Sequence, residues 1–207
     1  MTNIRAGKLG AAVTGVSVTA FAGAMLIELA TGLYTASVSY FASIFIAVGY
    51  VILAAAVVAR GGGKGSAAGL TGLVFAAIYA VLIFIVYFAM LTTIRLNGNL
   101  SDEALSLINY ERLGSLFFNY NLLGYGFMAL STFFVGFVVE PRYKGDRAFR
   151  ALLWIHGVFF LSCFIMPMTG AFTEDTSPVI GTVILLAWCA FFMPVCVLGW
   201  NYFRSDE

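Results

Sequence analysis

Few side chains in this sequence could do chemistry, and their surroundings limit what that chemistry would be. The chain has one histidine, His156, and three cysteines, Cys163, Cys189 and Cys196, and all four lie inside apolar runs. One imidazole cannot build a multi-histidine centre, and haem ligation would need a second axial ligand that no spacing supplies. The cysteines form no CxxC pair and sit in no polar loop, so they read as small buried hydrophobes rather than disulfide partners. Glu28 is the other ionisable group inside an apolar run, and such groups are functional candidates because they are costly to place there. HExxH, GxSxG and acidic pairs at metal-ligand spacing are absent, and Gly61-Gly62-Gly63-Lys64-Gly65 lacks the spacing of a phosphate-binding loop. No cofactor and no metal are expected, and an enzyme is the least favoured reading.

The elements that must position Glu28 and His156 follow from composition. Of 207 residues, 61% are hydrophobic and 10% charged, whereas a soluble domain carries roughly 25% charged residues. That is enough apolar sequence for about six membrane spans of about 20 residues each. The fold class is therefore all-α: a single transmembrane domain over 1–207, with spans near 9–33, 38–59, 67–94, 114–139, 148–170 and 178–203. The runs are too long and too uniform for barrel strands, which alternate over about ten residues. The first run is also too long for a cleaved signal h-region and contains Glu28, so it is read as a retained span. A net charge of +1 leaves no basic surface for nucleic acid.

Orientation follows from the basic residues. Arg5, Lys8, Arg60, Lys64, Arg142, Lys144, Arg147, Arg150 and Arg204 fall on one side, and only Arg95 and Arg112 on the other. Both termini are therefore expected in the cytoplasm, while Asp102, Glu103, Glu111, Glu174 and Asp175 lie outside. Arg60–Gly65 reads as a turn, Glu140-Pro141-Arg142 as a stop, and Ser177-Pro178 as a helix start. Ser101-Asp102-Glu103 predicts a short outer interfacial helix between spans three and four. Asn99-Leu100-Ser101 is formally a glycosylation sequon, of no consequence in a bacterial protein.

Depth separates the two intramembrane groups. At 1.5 Å per residue, Glu28 lies roughly 27–30 Å from the inner end of span one, and His156 only about 9 Å from Arg150. They are not expected to touch. Ser17, Ala24, Glu28, Thr31 and Thr35 share one arc of span one, facing other helices or a cavity. The predicted site gathers Glu28, Tyr87, Arg95, Asn119, Asn121 and Tyr125 (with Tyr34 nearby) around an outward-facing cavity that binds a small molecule, ion or proton. His156 reads first as structural, with proton handling as the sharper alternative. Pro167 and Pro194 interrupt the hydrogen-bond ladders of spans five and six. The stripes Gly15, Thr19, Gly23 and Gly72, Ala76, Ala80 predict close helix contacts.

The stretches Leu123-Gly124-Tyr125-Gly126-Phe127-Met128-Ala129-Leu130-Ser131-Thr132 and Ala151-Leu152-Leu153-Trp154-Ile155-His156-Gly157 resemble a group of uncharacterised bacterial integral membrane proteins. The resemblance covers 120–203 and implies a six-span bundle in a bacterial plasma membrane, with no activity attached. Sequence features then favour a non-catalytic membrane component that binds itself or another membrane protein, with the lipid bilayer as its surroundings. The alternatives are a transporter built around Glu28 and a membrane-embedded enzyme acting on lipid-like substrates.

Overall fold

Local capping chemistry sets the helix ends. In a computed structural model, which describes residues 2–61, 66–173 and 176–204, α1 spans Asn3–Thr31 and starts where the Thr2 hydroxyl accepts from the Arg5 N–H. It stops at Gly32, whose left-handed φ of 69° lets its N–H return to the Glu28 carbonyl. The helices α2 (Ala36–Arg60) and α3 (Ala67–Ala89) follow, and α3 runs on into a π-helical turn, Met90–Ile94. The short α4 (Asp102–Ile108) is capped by the Ser101 hydroxyl and carries Asp102 and Glu103 in its first turn, as the sequence predicts. After it come α5 (Leu116–Val138), α6 (Lys144–Gly157), α7 (Phe159–Met168) and α8 (Pro178–Arg204).

Six of these units are long and apolar enough to cross a bilayer, α6 and α7 together making one of them, and no strand occurs among the described residues. This is the architecture of a multi-pass integral membrane protein. Large apolar side chains such as Val16, Phe41, Val74, Val81, Phe88, Leu161 and Val197 are exposed around the bundle, which suits acyl chains and not water. The span ends differ from the apolar runs because caps extend helices into polar sequence. Thus α1 begins at Asn3 instead of residue 9. Likewise α6 begins at Lys144 instead of 148, where Asp146 Oδ2 accepts from the Arg142 and Tyr143 N–H groups at 2.9 and 3.0 Å. The turn expected over Arg60–Gly65 and the acids Glu174 and Asp175 lie largely or wholly outside the described residues; α8 does start at Pro178.

Lipid-embedded helices associate through close packing and interhelical hydrogen bonds, not through expulsion of water. The tightest pairing, α1 on α2, crosses at Gly10 and Gly49. A Cβ on Gly10 would stand 2.5 Å from the Leu53 nitrogen, and one on Gly49 would stand 2.6 Å from the Thr14 nitrogen. Of the expected stripe, Gly15 makes a close contact with α8, where a Cβ on it would stand 3.3 Å from Cys196, whereas Thr19 is exposed and Gly23 faces open space. The small residues of the α1–α2 crossing lie on the face turned by Gly10 and Thr14. The Gly72 stripe behaves as predicted, with Gly72 set against Val135 and Ser131 of α5. Tyr50 of α2 donates to Ser131 Oγ at 2.7 Å, and Ser131 donates to the Gly72 carbonyl at 2.7 Å, tying α2, α5 and α3 together.

Around the bundle, α8 lies on α1, α1 on α2, α2 on α3 and α3 on α5. The ring closes through α6, which packs on both α5 and α8. Span five breaks at Val158, whose N–H reaches back to Ile155, and the second half, α7, leans on α5 with no buried residue. Asn3 and Ala59 are joined by a hydrogen bond and Gly7 abuts Phe203, so both chain ends share one end of the bundle. We call this the terminus end. The α1–α2 turn, the 95–115 connection and the α7–α8 connection form the opposite, hairpin end.

Candidate functional site

At the hairpin end the 109–115 segment, which joins α4 to α5, folds back onto α2 and the end of α3. Glu111 N–H donates to Asn109 Oδ1, the Tyr110 N–H points at Met90 Sδ in the π-helical turn, and the Ser115 hydroxyl donates to the Asn109 carbonyl. This fold inserts Tyr110 against Tyr40 and Tyr87, with ring centroids 6.0 and 5.3 Å away. It also hangs the Glu111 carboxylate over the α1–α2 hairpin. Glu111 Oε1 accepts from the Tyr34 hydroxyl at 2.9 Å and from the Tyr40 hydroxyl at 2.5 Å, charge-assisted contacts of the stronger kind.

Glu28 lies a short way off in the last turns of α1. Its Oε2 accepts from the Thr35 N–H at 3.1 Å, at the start of α2, where a negative charge suits the helix dipole. The Thr35 hydroxyl lies 3.0 Å from the same oxygen and 2.7 Å from the Ala24 carbonyl. Glu28 therefore staples the α1–α2 turn while lining a cavity of about 570 Å³ shared by α1, α2, the 110–113 segment and α8. Both carboxylates and Tyr34, Tyr40 and Tyr110 border that cavity, and among the described residues no Lys or Arg lines it. The remaining wall is mostly apolar, including Phe21, Met25, Leu113, Phe118 and Leu185. Burial, the Glu111 hydrogen bond and the charges of Glu111 and Glu28 push the Tyr34 phenol up to about 12, and burial raises Tyr110 as well.

Of the residues grouped with Glu28 from sequence, none of Tyr87, Arg95, Asn119, Asn121 or Tyr125 lines the cavity. Arg95 is exposed beyond the π-helical turn, and Asn119 Nδ2 donates to the Gly114 carbonyl at the start of its own helix. Tyr87, Asn121 and Tyr125 are buried behind the cavity, and Tyr87 stacks on Tyr40 at 5.4 Å. Among the described residues, the hydroxyls of Tyr79 and Tyr125 and Asn121 Oδ1 have no hydrogen-bond partner. The cause is lateral: α1 packs on α2 and α8 while α5 packs on α3, so Tyr125 meets Tyr79 of α3 and Trp188 of α8 instead of Glu28. Glu111, Tyr40 and Tyr110 were missed, because a connecting segment gives no periodic signal that it turns back into the bundle.

His156 is fully enclosed elsewhere. Trp188 Nε1 can only donate, and it lies 3.0 Å from His156 Nε2, so that nitrogen is the acceptor. The ring hydrogen is then on Nδ1 and is donated to Thr132 Oγ1 at 2.8 Å, while Thr132 donates onward to the Ala129 carbonyl. Both ring nitrogens are used in joining α6, α8 and α5, and His156 and Glu28 share no contact, in line with the depth argument. No family model, curated protein or solved structure matches this chain.

Proposed function

We propose that this is a multi-pass protein of a bacterial inner membrane, with both termini in the cytoplasm, that binds a cation at its outward-facing hairpin end and serves as a carrier or receptor for it. The observation that carries this reading is a cavity whose described lining holds two carboxylates and no basic side chain. In a partly desolvated pocket, two such charges attract a cation far more strongly than they would in water. The orientation is supported by the basic residues of the terminus end. Lys8 lies over Trp200, Arg60 over Tyr202 and Arg150 over Trp154, at 5.9, 4.3 and 5.0 Å from the ring centroids, as suits an anionic cytoplasmic interface. The exposed α4 then lies on the outer surface.

Thermal unfolding in detergent across a panel of cations tests the reading. A ligand at about 100 times its Kd adds about 2.7 kcal/mol of stability. That gain disappears in Glu111→Gln and Glu28→Gln if the cavity is the site. A second reading, association with another copy or a membrane partner, is favoured by α7, which has no buried residue. A monomer in native-nanodisc mass measurement removes self-association.

A further inference from the structure

We infer that the cation taken by this cavity is organic: an amine or quaternary ammonium with an apolar body, its charged nitrogen held by Glu111 and Glu28 and its hydrocarbon laid against Phe21, Phe118 and Leu185. The inference rests on the cation-binding reading above and names the class of ligand. Three observations carry it.

The first is size. A cavity of about 570 Å³ falls among sites that enclose whole small molecules of about 300–1,000 Å³, far larger than a bare ion needs. The second is the donor set. Calcium asks for 6–8 oxygens, and even magnesium asks for an octahedron, but among the described residues no three His, Cys, Asp or Glu side chains converge to hold a metal. One oxygen of each carboxylate is already engaged by the α1–α2 hairpin, Glu111 Oε1 by Tyr34 and Tyr40 and Glu28 Oε2 by Thr35. The pair therefore offers a small ion two further carboxylate oxygens, far short of the shell that calcium or magnesium asks for. An alkylammonium spreads its charge over a large radius and needs only nearby anions and ring faces. Tyr34, Tyr40 and Tyr110 border the same space. Behind them the fully buried Tyr87 stacks on Tyr40.

The third observation is access. The cavity lies between the hairpin ends of α1 and α8, where Leu26, Ile27, Ile180 and Val183 are exposed apolar side chains and Val179 is both exposed and part of the cavity wall. Amphiphilic cations concentrate at this level, with the charge among headgroups and the apolar part among acyl chains. A ligand of that kind reaches the site sideways from the membrane as well as from water.

Equilibrium binding to the purified full-length chain in detergent, with radiolabelled tetraphenylphosphonium, tests this directly. Saturable binding of one equivalent is expected, with affinity about tenfold weaker in Glu111→Gln. Unlabelled benzyltrimethylammonium should compete about tenfold better than tetramethylammonium, because only the former brings an apolar body to the wall. This competition uses the unaltered chain, so it stands even if a variant fails to fold. If sodium or calcium stabilises the protein through Glu111 and Glu28 while neither organic cation competes, the ligand class is wrong and the cation site stands. If no cation of either kind binds, both readings fall. If 3,3-dimethylbutanol, a neutral analogue, competes as well as benzyltrimethylammonium, the charge is not what the cavity recognises and the inference is overturned.

Discussion

Replacing His156 with Phe keeps a ring of similar size in a site where the residue is 1% exposed, but removes both nitrogens. The hydrogen bond to Thr132 is lost, a net cost of about 0.5–1.5 kcal/mol, and Trp188 Nε1 is left buried without an acceptor, for about 1–3 kcal/mol more. Thr132 keeps its bond to the Ala129 carbonyl, so nothing further is orphaned there. The sum is about 3 kcal/mol, at the upper end for helix contacts in lipid, where measured hydrogen bonds average about 0.6 kcal/mol. Trp188→Phe leaves His156 Nε2 orphaned instead and costs a similar amount. In the double variant neither orphan exists, so its loss is smaller than the sum of the two by at least about 2 kcal/mol. Reversible unfolding in mixed micelles of rising sodium dodecyl sulfate content, followed by circular dichroism, measures all four corners of this cycle. Additivity within about 0.3 kcal/mol would show that the three side chains do not act as one hydrogen-bonded unit, and the tautomer deduced for His156 would be refuted.

Further outcomes follow from other parts of the bundle. Gly10→Ala drives a methyl into the α2 backbone and should cost about 1–3 kcal/mol, whereas Gly23→Ala, facing open space, should leave unfolding unchanged in the same assay. The Tyr34 phenol, which loses its proton at 10.0 when unperturbed and at about 12 in the fold, contributes stability that is complete below the lower value. That stability is lost as pH rises through the higher one. A pH series of melting curves should therefore decline less steeply over that window in Tyr34→Phe. In intact cells a membrane-impermeant maleimide should label Asn99→Cys and spare Gly145→Cys, two exposed positions at opposite ends; the reverse pattern would invert the orientation.

Much of this architecture is legible in the sequence because bilayer thickness is a one-dimensional constraint. Run length counts the spans, and Ser101 and Pro178 mark helix starts by local chemistry alone. Depth is likewise one-dimensional, which is why Glu28 and His156 could be held apart by counting residues. Angular position around the bundle is not. Glu28 was grouped with Asn119, Asn121 and Tyr125 at a similar depth, but those residues sit on a helix that does not neighbour α1. The choice between Gly10 and Gly15 as the crossing point depends on which face of α1 meets α2, and several faces of that helix carry small residues. Glu111 meets Tyr40 across 71 positions of chain, through a connection whose path is set by an Asx turn, a π-helical turn and stacked rings.

The phenols of Tyr79 and Tyr125, buried without partners among the described residues, bear on how this sequence should drift over generations. Tyrosine and phenylalanine codons differ by a single base, and each loss of an orphaned hydroxyl in this core relieves the bundle of a desolvated group. Selection for folding alone would let both positions pass to phenylalanine and stay there. A lineage that keeps the hydroxyls against that mutational current is using them, and one that has shed them marks which part of the core serves only to be filled.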